Sequence, residues 1–439
     1  MRTVHAASTV SSAVYYQTLE HQKALARMGY FGARVNMERL VPLSSEIARE
    51  IGEIKASLRE HAVYRAFLAS EEIEELNINA PAQKQALVFR YIGLRPDKKS
   101  RKTGNPSCDA DFLEYHQDAH PILPLMLRWS ELAKLQSSFV ESLPDLAIPE
   151  GDGIHGVIHP WWRVGGARTW RLSCADPNLQ NQAKVAELRR CFVPRPGYTF
   201  VEGDLSQAEP RIIASLSGEE AWIEAFRQGR DIYVEIYKKT KGVTEVSKTQ
   251  RQWAKTLLLA VSYGLSPKGA AQKLGMSVND AKELIMEFWE NHSKILAWKE
   301  DTEREVRETG QVSAPHGKIR RFDRREINAA LEGESEGDKR SWGIINGIYR
   351  QAVNFRPQSL CGHLALEIMV RSHKRFPRWP IVLQVHDSVL WEVPTPEAKD
   401  AAPVLKGLME ETDGLSWLKV PLKADIKVGV DWGSMEEVK

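Results

Sequence analysis

Cysteine is scarce in this chain, four in 439 residues, and Cys108, Cys174, Cys191 and Cys361 stand apart with no CxxC pair. That spacing argues against a disulfide framework and against cysteine-held structural zinc, and it fits a reducing compartment. No run of roughly eighteen apolar residues occurs, and the start lacks a clear signal-peptide core, so the expectation is a cytoplasmic protein with no membrane span. No internal repeat or low-complexity segment stands out. A net charge of +2 neither demands nor forbids a nucleic-acid partner, which leaves that question to local clustering. What is present is ordinary: 42% hydrophobic and 27% charged residues, with enough length to bury cores in two to four structural units.

The chain is organised around Tyr198–Gly218, YTFVEGDLSQAEPRIIASLSG. Its start alternates as a half-buried strand does, reaches Asp204, and passes into an apolar-periodic helix with Ile212, Ile213 and Leu216. A carboxylate where strand gives way to helix can face solvent, substrate or metal. Ser206, Gln207, Glu209 and Arg211 add a dense polar cluster. A second stretch answers it: in IVLQVHDSVLWEV, from Ile381 to Val393, two strand-like runs flank His386, Asp387 and Ser388, the pattern of a hairpin with an acid at its tip. Two aspartates on neighbouring strands suit a pair of Mg2+ ions holding the attacking and leaving oxygens of a phosphoryl transfer.

Between them lies RQWAKTLLLAVSYG. Arg251, Lys255, Leu259 and Tyr263 are four apart and line one helical face, drifting by roughly 40° per step. Two cations ending in an aromatic ring form a rail for a triphosphate and a base. The competing reading is an amphipathic helix whose cations face water, although Leu257, Leu258, Leu259 and Val261 already supply a buried side.

Elsewhere the signals are blander. Residues 15–30 predict a helix, Gly32 and Val35 a turn, and Met37 to Ala69 one long helix. The basic segment from Arg95 to Ser107 reads as a solvated loop; the alternative is a duplex-backbone contact through Lys98, Lys99 and Lys102. Asp109 to Leu146 is again helical. His155 and His159 have i, i+4 spacing, but Gly156 and Pro160 argue against the helix a shared metal would need. Trp161 and Trp162 read as core or interface. RLSCADPNLQN, from Arg171 to Asn181, is an amide-rich turn. From Glu219 to Tyr349 the chain is mostly helical, with Asp323–Ser341 expected as an exposed, solvated excursion. A helix through Arg350 and Asn354 to Met369, the hairpin, a helix near Ala398–Glu411 and a last strand in VPLKADIKVGV complete the chain.

Taken together and in order, DLSQAEPR, RQWAKTLLLAVSYG and QVHDS resemble the three polymerase motifs of the family A DNA polymerases. RLSCADPNLQN resembles the family's palm segment, ELAKLQSSFVESLPDL its thumb, RQAVNFRPQ the helix before the third motif, and VPLKADIKVGVDW its last strand. The resemblance covers roughly residues 17 to 432. It implies an α+β right-hand fold: an antiparallel palm sheet with helical fingers and thumb. The expected boundaries are a lead-in over 1–40, thumb 41–150, palm 151–215 and 350–439, and fingers 216–349.

It also implies roles. Asp204 and Asp387 would be metal carboxylates, with the Leu205 carbonyl a further ligand, for two Mg2+ ions that Mn2+ can replace. Arg251 and Lys255 would contact the triphosphate, Lys255 also protonating the leaving pyrophosphate, while the primer 3′-hydroxyl attacks the α-phosphate. Tyr263, Gln207, Leu259 and Tyr233 would border the nucleotide, and Glu209 would crowd the sugar 2′ position. Arg171, Asn354 and Gln358 would sit against the primer–template minor groove, whose acceptors occur in every correct pair, with Arg350 a further DNA-binding residue and His386 near the primer terminus. The expected partners are primer–template DNA and dNTPs, with room for a separate exonuclease or processivity factor, and the chain is expected to be monomeric.

Several positions depart from the family pattern. Ser388 stands where glutamate is usual, Leu259 where Phe or Tyr is, Tyr233 where a His is common, Pro210 where Leu is, and Trp170 in place of Gly. Only about thirty residues precede the thumb-like region, so the expectation is a polymerase module without a 3′–5′ exonuclease, compact in a way that resembles phage enzymes acting in a host cytoplasm. The alternatives are a catalytically weak homologue serving as a DNA-binding or replication accessory protein, a metal-dependent nuclease, and a polymerase that also copies RNA.

Overall fold

The computed structural model describes residues 12–96, 104–181 and 185–438. The chain divides into two compact units. One gathers the described residues up to Ala33, His159–Asn181 and those from Val193 on; the other gathers Arg34–Ile158 and those leading to Phe192.

The elements that position the site all belong to the first unit. In chain order they are α1 (Ser12–Phe31), β1 (Tyr198–Leu205), α2 (Ala208–Ser217), α3 (Ile232–Lys241), α4 (Lys248–Ser262), α5 (Lys339–Arg375), β2 (Ile381–Val385), β3 (Ser388–Pro394) and β4 (Ala424–Gly429). The strands form one antiparallel sheet with β1 at its centre, β3 then β2 on one side, and β4 with the short Glu436–Glu437 strand on the other. Alternation along β1 decides which groups meet water: Val201, Gly203 and Leu205 are buried, while Glu202 and Asp204 lie on the open face. The buried face packs Val201, Leu205, Val389 and Trp391 against Leu405, Leu408 and Met409 and against Leu360 and Leu364 of α5. Trp391 is fully enclosed and donates its indole N–H to Ser372 Oγ at 2.8 Å, so truncating it to alanine costs about 3–5 kcal/mol.

A second apolar cluster joins α3 and α4: Ile232, Tyr233 and Ile236 meet Leu257, Leu258 and Val261, with Trp222 and Phe226 from the helix Glu220–Arg227. A capping box starts α4: Ser247 Oγ accepts from Gln250 N–H, and Gln250 reaches back to Ser247 N–H. The 37-residue α5 is the longest element, about 55 Å, with Pro357 in its interior.

In the second unit, Leu40–Glu60 buries Leu43, Ile47, Ile54 and Leu58 along one stripe, as the periodicity requires. The expected single helix over 37–69 is interrupted: a 3-10 turn spans Met37–Arg39, and His61 turns extended (ψ 124°) before a new helix at Ala62–Ser70. Two more expectations need correction. Gly32 ends α1, but Ala33–Asn36 is a strand, not a turn. Asp323–Ser341 is no solvated loop: Asp323 caps a helix over Arg324–Ser335 that buries Ile327 and Ala330 in a cluster with Ile345 and Ile348 of α5. A hairpin of Gln311–Ser313 with Ile319–Arg321 was not foreseen within the helical region. Among the described residues no helix is long and apolar enough to cross a membrane.

Candidate active site

Asp204 is the penultimate residue of β1, and Asp387 sits in the two-residue turn between β2 and β3. Register brings them together. Ser388 lies directly across from Asp204, and Leu205 N–H donates to the Asp387 carbonyl at 3.2 Å. His386 takes the left-handed conformation (φ 58°) that such a tight turn demands, and its side chain is exposed. Ser388 Oγ donates to the Val385 carbonyl at 3.0 Å, so it closes the hairpin where a longer acid would project.

The electrostatics are those of an acid cluster whose burial outweighs the positive groups near it: His386 and Arg171 favour the charged form of Asp387, and Lys427 that of Asp204. The Asp204 side chain still reaches water, yet its carboxyl is pushed up to about 7, first by lost hydration and then by Asp387, Glu202 and Asp425. Lys427 opposes this weakly. Asp387 is raised too, chiefly by burial. Among the described residues neither aspartate forms an ion pair. Hard carboxylate oxygens crowded together without a cation fit a divalent ion of the Mg2+ type. Asp425, directly opposite Asp204 on β4, escaped the sequence reading. Only the strand register shows that it shares a face with Asp204.

Beyond β1 the chain turns sharply. Gln207 adopts φ 56° as the residue before α2, and its side-chain oxygen accepts from Ile232 N–H at 3.1 Å, tying the strand end to α3. Glu209 is the hub of the next layer: one oxygen takes a hydrogen bond from Arg171, the other from the Tyr263 hydroxyl. Burial works against the Arg171 charge, but Glu209 outweighs it and raises the guanidinium pKa; burial and Glu209 together drive the Tyr263 phenol well above its usual value. Arg211 turns away into the interior, donating to the carbonyls of Ser206 and Pro421, so it braces the turn.

On α4, Arg251, Lys255 and Leu259 are all half-buried, with Tyr263 following at the helix end. Arg251 donates to Asp231 at 2.7 Å and lies 5.0 Å over the Tyr233 ring. Tyr233 is buried beneath it, its phenol raised by that burial. Asp231 also accepts from the first N–H groups of α3, so one acid starts α3 and aims Arg251. It was not singled out in the sequence, though an Asp before an apolar-periodic run is a helix-start signal. Lys255 has no ion-pair partner among the described residues.

Arg171 reaches the site because Gly362 of α5 lets its loop approach: a Cβ there would stand 3.2 Å from Arg171 Cα. Gly264, at φ 68°, similarly makes room for Arg350. Asn354 and Gln358 are half-buried one turn apart on α5, and Asn354 Oδ1 is buried without a hydrogen-bond partner. Arg171, Gln180, Gln384 and His386 line a cavity of about 230 Å3. Within it, Gln180 donates to Gln384, which in turn donates to the His386 carbonyl at 2.5 Å. Lys98, Lys99 and Lys102 lie outside the described residues. The ring of His155 bonds Asp152, while that of His159 bonds the Gly29 carbonyl.

Comparison with known proteins gives this geometry its family. The chain is 34% identical over 424 residues to the thermostable DNA polymerase I of Thermus aquaticus, covering 94% of this chain and 47% of that protein. It is 31% identical over 436 residues to the DNA polymerase I of Chloroflexus aurantiacus, covering 96% and 43%. The chain thus spans about half the length of the curated relatives it matches. Among solved structures, the POL domain of Pol1 from M. smegmatis, in complex with DNA primer–template and dNTP, matches with a TM-score of 0.80 and 27% identity over 95% of this chain and 70% of that one. The two share the right-hand polymerase fold. The profile described as DNA polymerase family A matches residues 38–434, and this chain belongs to that family.

Proposed function

We propose that this chain is a DNA-templated DNA polymerase module that adds dNMPs to a primer 3′-hydroxyl with the help of two Mg2+ ions. The observation that carries the proposal is the pair Asp204 and Asp387, joined through the Leu205–Asp387 backbone hydrogen bond, with both carboxyls raised because burial and neighbouring acids outweigh the nearby positive groups. Bound there, with the Leu205 carbonyl as a further ligand, the ions would activate the primer hydroxyl and neutralise charge on the α-phosphate and leaving oxygen.

The chain's own residues do the rest. Arg251, held by Asp231, presents its remaining N–H groups to the triphosphate, and Lys255, with no ion-pair partner among the described residues, brings an ammonium that can protonate the leaving pyrophosphate. Glu209, pinned by Arg171 and Tyr263, occupies the space a 2′-hydroxyl would need. Gln207, Leu259, Tyr233 and Tyr263 border the nucleotide. Arg171, Asn354 and Gln358 face the minor groove, where they test pair geometry rather than sequence, Arg350 adds a DNA contact, and His386 lies beside the primer end. On this reading thumb, palm and fingers follow the boundaries 41–150, 151–215 with 350–439, and 216–349. The sheet agrees with that division, taking β1 from the first palm segment and β2, β3 and β4 from the second.

The test is extension of a labelled primer–template with Mg2+ and four dNTPs. Asp204→Ala and Asp387→Ala should each slow single-turnover extension by about a thousandfold or more, the loss of several kcal/mol of transition-state stabilisation. DNA binding without extension by the wild type, even with Mn2+, would overturn the proposal in favour of an accessory DNA-binding role.

A further inference from the structure

A second polar cluster has no part in the chemistry above. His21 occupies a core position on α1, fully buried, on the face that also buries Ala24, Leu25 and Met28. His363 and Glu367 stand one turn apart on α5, at the i, i+4 spacing that places both on one face. His21 Nε2 lies 2.8 Å from Glu367 Oε1, and His363 Nδ1 lies 3.9 Å from the same oxygen, which also accepts from Gln17 at 3.3 Å. One ligand atom of each of the three residues falls within 4.8 Å of the other two.

A histidine–carboxylate hydrogen bond explains only part of this. It accounts for His21 Nε2 but leaves His363 Nδ1, on a side chain 4% exposed, and His21 Nδ1 without hydrogen-bond partners. Each such buried orphan costs about 1–3 kcal/mol. The orientation of His363 is also fixed from outside the trio. The His316 ring packs edge-on against it at 5.1 Å, and His316 Nδ1 accepts from Lys318 N–H at 3.2 Å.

We propose that His21 Nε2, His363 Nδ1 and Glu367 Oε1 form a binding site for a transition-metal dication of the Zn2+ class, with a fourth position left to water. Two imidazoles and one carboxylate are a known zinc donor set. Around a tetrahedral zinc, with bonds of about 2.0–2.1 Å, ligand atoms stand about 3.3–3.4 Å apart. The 2.8 and 3.9 Å separations bracket that value. The positive groups that oppose a cation here are Arg371 and Lys318. The bound ion would clamp α1 to α5.

Because Asp204 and Asp387 also attract dications, the test uses the chain carrying Asp204→Asn and Asp387→Asn, loaded with Zn2+ and dialysed against metal-free buffer. The expected result is one equivalent of retained zinc, a rise in Tm on adding zinc, and with Co2+ the intense visible bands of a tetrahedral site. All three signals should vanish in His21→Gln, His363→Gln and Glu367→Gln. Glu367→Gln keeps the size of the side chain and leaves an amide oxygen for His21, so it serves where a histidine variant fails to fold. Lys318→Met should tighten zinc binding by removing a like charge. Substoichiometric zinc in the parent, or stoichiometric zinc surviving Glu367→Gln or His363→Gln, would overturn the proposal.

Discussion

Two acidic clusters in this molecule are built from the same residue types and end with opposite electrostatics. In the second unit, Glu150 and Asp152 gather around Arg34, at 2.8 and 3.6 Å, and Asp152 also accepts the backbone N–H groups of Ile154 and His155. Those hydrogen bonds hold its carboxyl well below the usual range. In the first unit, Asp204 has acids around it, Lys427 opposing them weakly, and a pKa of about 7. A structural cluster carries its own countercharge, whereas a cluster that expects a ligand leaves the charge unmet. The sign of the shift, more than the density of acids, separates the two.

The strongest way to break this contrast is by isosteric neutralisation. Asp204→Asn should reduce extension by about a thousandfold while Asp152→Asn leaves it within twofold, read in the same primer assay. Lys255→Met comes next, with a fall of about a hundredfold in kcat and little change in DNA affinity, as for loss of a proton donor. Glu209→Ala should then raise ribonucleotide incorporation by about 10–100-fold relative to deoxynucleotides, the scale on which a steric wall discriminates; unchanged selectivity would remove Glu209 from that role.

The smallest effect is in the pH dependence of stability without metal. Asp204 holds its proton more tightly folded than unfolded, so its contribution falls as pH rises from about 4 to 7. Asp152 does the reverse: its contribution is present above about pH 4 and is lost on acidification. Asp204→Asn should therefore flatten the loss of Tm between pH 5 and 8 by a few degrees at most, and Mg2+ should do the same for the wild type. A steeper loss in the variant would contradict the assigned sign.

Much of this was legible in the sequence, for reasons that differ by residue. Asp204 and Asp387 announced themselves because strand periodicity breaks at an acid in both stretches. The face of Arg251, Lys255 and Tyr263 followed from helical spacing alone. Asp425 was hidden because its neighbour on the sheet lies 221 positions earlier, a relation set by strand register and not by local pattern. His21 was hidden likewise, since on a helical wheel it is one more position, and its partners come from the far end of the chain. The helix Arg324–Ser335 was mistaken for a loop because charge and glycine outweighed the sparse apolar spacing of Ile327 and Ala330, although Asp323 offered a cap.

The proline inside α5 has a mechanical meaning. Pro357 supplies no N–H, so the carbonyl of Val353 lacks its helical donor, and the rod is softest over that one turn. Asn354 and Gln358 flank the joint. Any swing of the N-terminal half of α5 against its C-terminal half therefore changes the spacing of these two amides before it disturbs anything else on the rod. A helix that would otherwise report motion rigidly over its whole length is articulated between its two proposed minor-groove amides.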